Sequence, residues 1–224
     1  MENETQHNLV INGVGSASGG LFNKVEINGR GKVASGLACH HFICNGQANI
    51  EGGIRAKKAE INGVLTMTGE FKADQIKVAG KATVKGNVSG DNVRFEGALT
   101  SEGDCEAEVF AAKGKLNIDG LLNAGEVEIE VYGNCKVKEI GGEHIHIREG
   151  HEIYNLIKQF FTNFTSKLTT ETIEGNEIHL ENTHAKVVRG HNVTIGRGCD
   201  IEQVEYRDTF HKEAGAKVGN YKKT

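Results

Sequence analysis

Apolar and polar residues alternate along this chain in short phrases, each closed by a glycine. Val25 and Ile27 stand four and two positions before Gly29, Phe42 and Cys44 before Gly46, and Ala59 and Ile61 before Gly63. Ile76 and Val78 precede Gly80 in the same way, and Val93 and Phe95 precede Gly97. A period of two predicts half-buried β-strands. The closing glycine returns every 17 residues, at Gly29, Gly46, Gly63, Gly80, Gly97 and Gly114, and a fixed period of that length predicts a solenoid.

The rest of each repeat is equally regular. Six residues after the glycine a second one follows (Gly52, Gly69, Gly86, Gly103, Gly120), and eight after it a larger apolar residue (Ile54, Phe71, Val88, Cys105, Leu122). Ten after it the residue is small: Ala56, Ala73, Gly90, Ala107, Ala124. Three apolar stretches separated by turns predict coils with three flat faces, and identical slots stacked on one another predict parallel sheets with strands about 4.8 Å apart. The expected fold class is all-β, a parallel β-helix of about 17 residues per rung.

Along the chain the expected divisions are a short polar N-terminal tail at 1–8, the regular β-helix at 9–142, shorter coils at 143–210 and a polar C-terminal tail at 211–224. The first repeat begins at Leu9-Val10-Ile11-Asn12-Gly13, and the last regular one ends near Gly133 after a two-residue insertion. A shorter phrase then continues, with Gly142 before Ile145 and Ile147, Gly175 before Ile178 and Leu180, and Gly190 before Val193 and Ile195. One stretch breaks the pattern. Within 151–168, Ile153, Leu156, Ile157, Phe160, Phe161, Phe164 and Leu168 fall on one face at helical spacing, which predicts an inserted amphipathic helix. At roughly 1.5 to 3 kcal/mol for each large apolar side chain buried, that face needs a cover. It is expected to cap or flank the coil, with partner binding and membrane docking as alternatives.

Composition narrows the reading. The 224 residues include 30 glycines and no proline, as befits strands paired on both sides, and the net charge of −4 comes from interleaved acidic and basic residues. Nucleic-acid binding has no electrostatic support there. No apolar stretch reaches the roughly 20 residues of a membrane span, so the expected location is the cytoplasm or, through indirect association, the inner face of the membrane.

The chemistry-bearing residues fall into repeat slots. Of five cysteines, Cys39, Cys44, Cys105 and Cys135 occupy positions that other rungs give to small or apolar residues, so they are expected as reduced core residues. His144 and His146 alternate with Ile145 and Ile147 and should face outward, as should His179 between Ile178 and Leu180. With His151 the first two offer a metal site in principle, yet no paired ligand spacing supports one. No catalytic, cofactor-binding or metal residue is assigned, and no cofactor is expected.

The repeat apolar-x-Ala-x-x-apolar-x-apolar-x-Gly-x-small-x-apolar-x-Gly, clearest from Val25-Glu26-Ile27-Asn28-Gly29 to Leu116-Asn117-Ile118-Asp119-Gly120, resembles that of bactofilins, the bacterial polymer-forming cytoskeletal proteins. Val193-Thr194-Ile195-Gly196-Arg197-Gly198-Cys199-Asp200-Ile201, followed by Val204-Glu205-Tyr206, resembles the C-terminal region of a longer bactofilin-like group of Gram-positive bacteria. The resemblance implies a right-handed β-helix that is not an enzyme. It implies assembly end to end without nucleotide, with the protein itself, a sister bactofilin and client proteins as partners in cell shape, envelope growth or motility. The chain differs from that pattern in its lack of proline-rich tails, its polar start and its insert.

A solenoid edge left open invites assembly. The expected assembly surfaces are the N-terminal end around Leu9 and Ile11, the last coil with Val204, Tyr206 and Phe210, and the apolar face of the insert. Two rival readings are a monomeric or dimeric adaptor and a left-handed β-helix acyltransferase. The second needs a six-residue period, which a period of 17 does not contain.

Overall fold

The computed structural model describes residues 7–150 and 166–224, and its chain divides into two units, Met1–Ala107 and Glu108–Thr224. Both are β-solenoids of parallel strands.

The first unit contains β1 (Leu9–Ala17), β2 (Gly20–Val33), β3 (Leu37–Cys44), β4 (Gln47–Ile50), β5 (Ile54–Met67), β6 (Phe71–Val84), β7 (Val88–Ser101) and the start of β8 (Cys105–Val131). Neighbours run in the order β1-β2-β3-β5-β6-β7, with β4 between β2 and β5. The alternation fixes which side chains meet. Val25, Phe42, Ala59, Ile76 and Val93 are successive register partners and all are buried. Ile27, Cys44, Ile61, Val78 and Phe95 form a second buried column two residues along. In a third, Ala48, Leu65, Ala82 and Leu99 alternate small with large, so that each layer fills the space its neighbour leaves. One polar residue enters this core: Ser101 is fully buried, and its hydroxyl lies 3.2 Å from the Gly86 carbonyl oxygen and 3.3 Å from that of Gly103. Those carbonyls supply the partners that burial demands.

The 17-residue glycine has a double cause. Gly80 has φ of +138°, which L side chains rarely adopt, and a Cβ placed on it would collide with the carbonyl oxygen of Gly63 one coil below. The same collision awaits a Cβ at Gly29, Gly46, Gly63 and Gly97. The glycine thus leaves room for the carbonyl of the coil below.

The second unit continues β8 and adds β9 (Asn134–Glu149), β10 (Lys167–Leu180), β11 (Thr183–Ile195), β12 (Asp200–Lys212) and β13 (Lys217–Lys223), each parallel to the next. The pairing of β8 with β9 is irregular between Ile118 and Leu121, where three steps along β8 face two along β9, from Val137 to Glu139. The short phrases stack as expected: Ile145 pairs with Ile178 and Ile178 with Val193, all buried.

Two expectations need correction. The helix over 151–168 falls at 151–165 outside the described residues, but its end is strand. Lys167 begins β10, and Leu168 is buried between its register partners Cys135 and Thr183. Leu168 thus sits in an inward column of the coil, and its spacing from Phe164 is no sign of a shared helix face. The polar tail over 211–224 is also corrected: β12 runs through Lys212, and β13 adds a further strand with Ile201 opposite Val218 and Val204 opposite Tyr221. Most of its side chains are exposed, so its composition reads as a tail although its backbone is paired.

Candidate assembly surfaces

Among the described residues β1 is paired only on its β2 side, which leaves a row of backbone donors and acceptors along its other edge. Leu9 and Ile11 lie in register with Val25 and Ile27, at the end of the two inward columns. Leu9 is half-buried and Ile11 is buried, so they floor this edge more than they face solvent. The exposed apolar residues are others: Val10 at 51% and Val14 at 84% on β1, with Leu21 at 69% on β2. The signal was present in Leu9-Val10-Ile11, where three apolar residues in a row break the alternation and force one outward.

At the other expected surface, Val204 is no surface residue: it is fully buried, stacked on Val188 and covered by β13. Tyr206 and Phe210 are half-buried and meet a third aromatic, Tyr221. The ring centres of Tyr206 and Phe210 are 5.5 Å apart and those of Phe210 and Tyr221 5.1 Å, both tilted. Phe210 continues the column of Val193, and Tyr221 that of Val204. Large rings in inward columns close the core at its last strands, and Tyr221 still exposes 63% of its surface. Of the insert, Leu168 is core, while Ile153, Leu156, Ile157, Phe160, Phe161 and Phe164 lie outside the described residues.

The outward faces carry ordered polar columns. Asn28 donates its side-chain amide to Oδ1 of Asn12 at 3.1 Å, Asn45 to Asn28 at 2.9 Å and Asn62 to Asn45 at 3.0 Å. Every amide in this ladder points the same way, toward β1. In the second unit Arg189 joins Glu205 at 2.9 Å, and Lys222 joins the same carboxylate at 3.1 Å. The hydrogen bonds from Lys222 and Arg189 hold the Glu205 carboxyl below its ordinary range.

All five cysteines are free thiols. Cys44, Cys105, Cys135 and Cys199 are buried, whereas Cys39, in the slot that other rungs give to alanine, is half-buried. Burial pushes the Cys105 thiol up to about 12 and those of Cys39 and Cys199 to about 11. A thiol held that high is neutral at physiological pH and a poor nucleophile. His144 and His146 are exposed and His179 is half-buried; the rings of His146 and His179 meet edge to face with centres 5.0 Å apart. Among the described residues no three His, Cys, Asp or Glu side chains are grouped so as to hold a metal ion.

The chain is similar to two proteins of Bacillus subtilis (strain 168). It is 41% identical over 88 residues to the uncharacterized protein YhbF, covering 39% of this chain and 34% of that one. To the uncharacterized protein YhbE it is 39% identical over 102 residues, which is 45% of this chain and 42% of that one. The matches thus span between about a third and two fifths of these curated relatives. No family model matches the chain, and no solved structure matches it.

Proposed function

We propose that the protein is a non-enzymatic, bactofilin-like scaffold that assembles with copies of itself through the edges of its solenoid, without nucleotide. The observation that carries this reading is the β1 edge, paired on one side only among the described residues and bearing Val10 and Val14 at 51% and 84% exposure. An unpaired strand edge flanked by exposed apolar side chains is a template for another strand layer. The exposed ring of Tyr221, stacked on Phe210, offers the second contact. Joining unlike edges repeats without closure and grows a filament, whereas joining like edges makes a closed pair.

In this reading the coils are right-handed, as nearly all crossovers between parallel strands are. The apolar positions from Ile153 to Phe164 form an amphipathic helix between β9 and β10 that covers the coil or meets a partner. The protein works in the cytoplasm, reaches the inner face of the membrane only through others, and organises client proteins, a sister bactofilin among them, in cell shape, envelope growth or motility. The polar side chains support a structural role, since the asparagine ladder and the Arg189–Glu205–Lys222 cluster are spent on neighbouring coils.

Electron microscopy of the purified protein, with no nucleotide added, tests the reading. Filaments or sheets are the expected result. A protein that stays monomeric at high concentration overturns it and leaves the adaptor.

A further inference from the structure

We propose that His146 and His179 form a two-imidazole site for a divalent transition-metal ion of the zinc type, tying β9 to β10. The two residues are register partners on adjacent parallel strands and project from the same face. In-register positions on neighbouring strands lie about 4.8 Å apart, too close for two imidazoles to avoid each other. Their ring centres are 5.0 Å apart. Two imidazoles bound to one tetrahedral zinc through bonds of about 2.0 to 2.1 Å place their nitrogens about 3.3 Å apart and their ring centres about 5 Å apart. The backbone therefore already sets the separation a chelate needs. The planes cross at 81° in an edge-to-face pair, and a turn about χ2, a broad torsion for histidine, aims both nitrogens at one point.

The surroundings suit an added cation. Glu128 on β8 is the register partner of His146, and Glu181 follows the end of β10, two residues after His179; both bring negative charge to His146, Glu181 while pairing with Arg197 at 3.5 Å. Arg148 opposes them, but it is held by Glu128 at 3.2 Å and by Glu130. On the β11 side the neighbour of His179 is the uncharged Thr194. Imidazole ligands suit zinc, copper and nickel. With no third grouped ligand among the described residues, water completes the coordination.

The placement gives the ion something to do. Register partners on β9 and β10 are 33 residues apart, as in Gly142 and Gly175, against 15 between β10 and β11. The ion would bridge two paired strands that are 33 residues apart in sequence. This inference is independent of self-assembly.

The test is isothermal titration of the chelator-stripped, full-length Cys39→Ser protein with zinc chloride near pH 7.5, the half-buried thiol being removed as a competing ligand. One saturable site is expected. It should vanish in His146→Ala and in His179→Ala and persist in His144→Ala and His191→Ala, with circular dichroism confirming the strand content of each variant. A second measurement needs no histidine variant: substoichiometric Cu2+ should broaden the imidazole carbon-bound proton signals of His146 and His179 before those of the other histidines. Absence of saturable binding, binding that survives loss of either residue, or first broadening at other histidines overturns the proposal.

Discussion

The side-chain amide of Asn45 donates to Oδ1 of Asn28 at 2.9 Å, while its own Oδ1 accepts from Asn62 at 3.0 Å. Asn45 thus links three successive coils through one exposed side chain. Parallel in-register stacking is what lets identical amides satisfy each other in sequence.

Asn45→Asp should remove the donor and set a carboxylate against the Asn28 oxygen. One exposed amide bond is lost, worth about 0.5 to 1.5 kcal/mol net, while the Asn62 amide can still donate to the new carboxylate, so the expected loss is about 1 kcal/mol. Urea unfolding at pH 7 measures it, and a midpoint unchanged from wild type would mean that the ladder contributes nothing.

The glycine column makes a graded prediction. Gly13 has φ of +81° and open space where a Cβ would stand, so Gly13→Ala should cost about 1 to 2 kcal/mol of backbone strain alone. Gly80 combines its φ of +138° with the Gly63 carbonyl, and Gly80→Ala should cost more than about 3 kcal/mol. Thermal unfolding of the two variants side by side gives the order, and equal losses would separate the period from its proposed cause.

The buried thiols predict a loss of stability in alkali. Desolvation raises Cys105 from the ordinary 9.0 to about 12, and Cys39 and Cys199 to about 11. The unfolded chain releases these protons first, so their contribution is fully present below about pH 9 and is lost as pH rises through 9 to 12. Between pH 8 and pH 10.5 the urea midpoint should fall less in Cys105→Ala than in wild type. Cys39, half-buried, should be the first thiol to react with a maleimide.

Much of the fold was legible because a repeat repeats its errors as well as its signals. Val25, Phe42, Ala59, Ile76 and Val93 vary in size but never in polarity, and the period alone assigns them one column. The asparagine before Gly13, Gly29, Gly46 and Gly63 is just as regular, but an exposed polar slot carries no burial signal, and its role shows only in the amide bonds between coils. Edges were harder. Val10 is exposed although apolar, and β13 is paired although polar, because among the described residues each of these edge strands has a neighbour on one side only and the inside-outside pattern loses its contrast. Leu168 fitted a helix face and a strand column equally well by spacing, and its partners Cys135 and Thr183 decide between them.

Sedimentation velocity over a concentration series, comparing wild type with Val10→Asp/Val14→Asp, tests most directly whether the β1 edge is an assembly surface. Wild type should sediment as large, concentration-dependent species, and the double variant, with unchanged circular dichroism, as smaller ones, because a carboxylate on each exposed position would be carried into the contact. A wild-type monomer at every concentration, or assembly unaffected by both substitutions, would contradict the account.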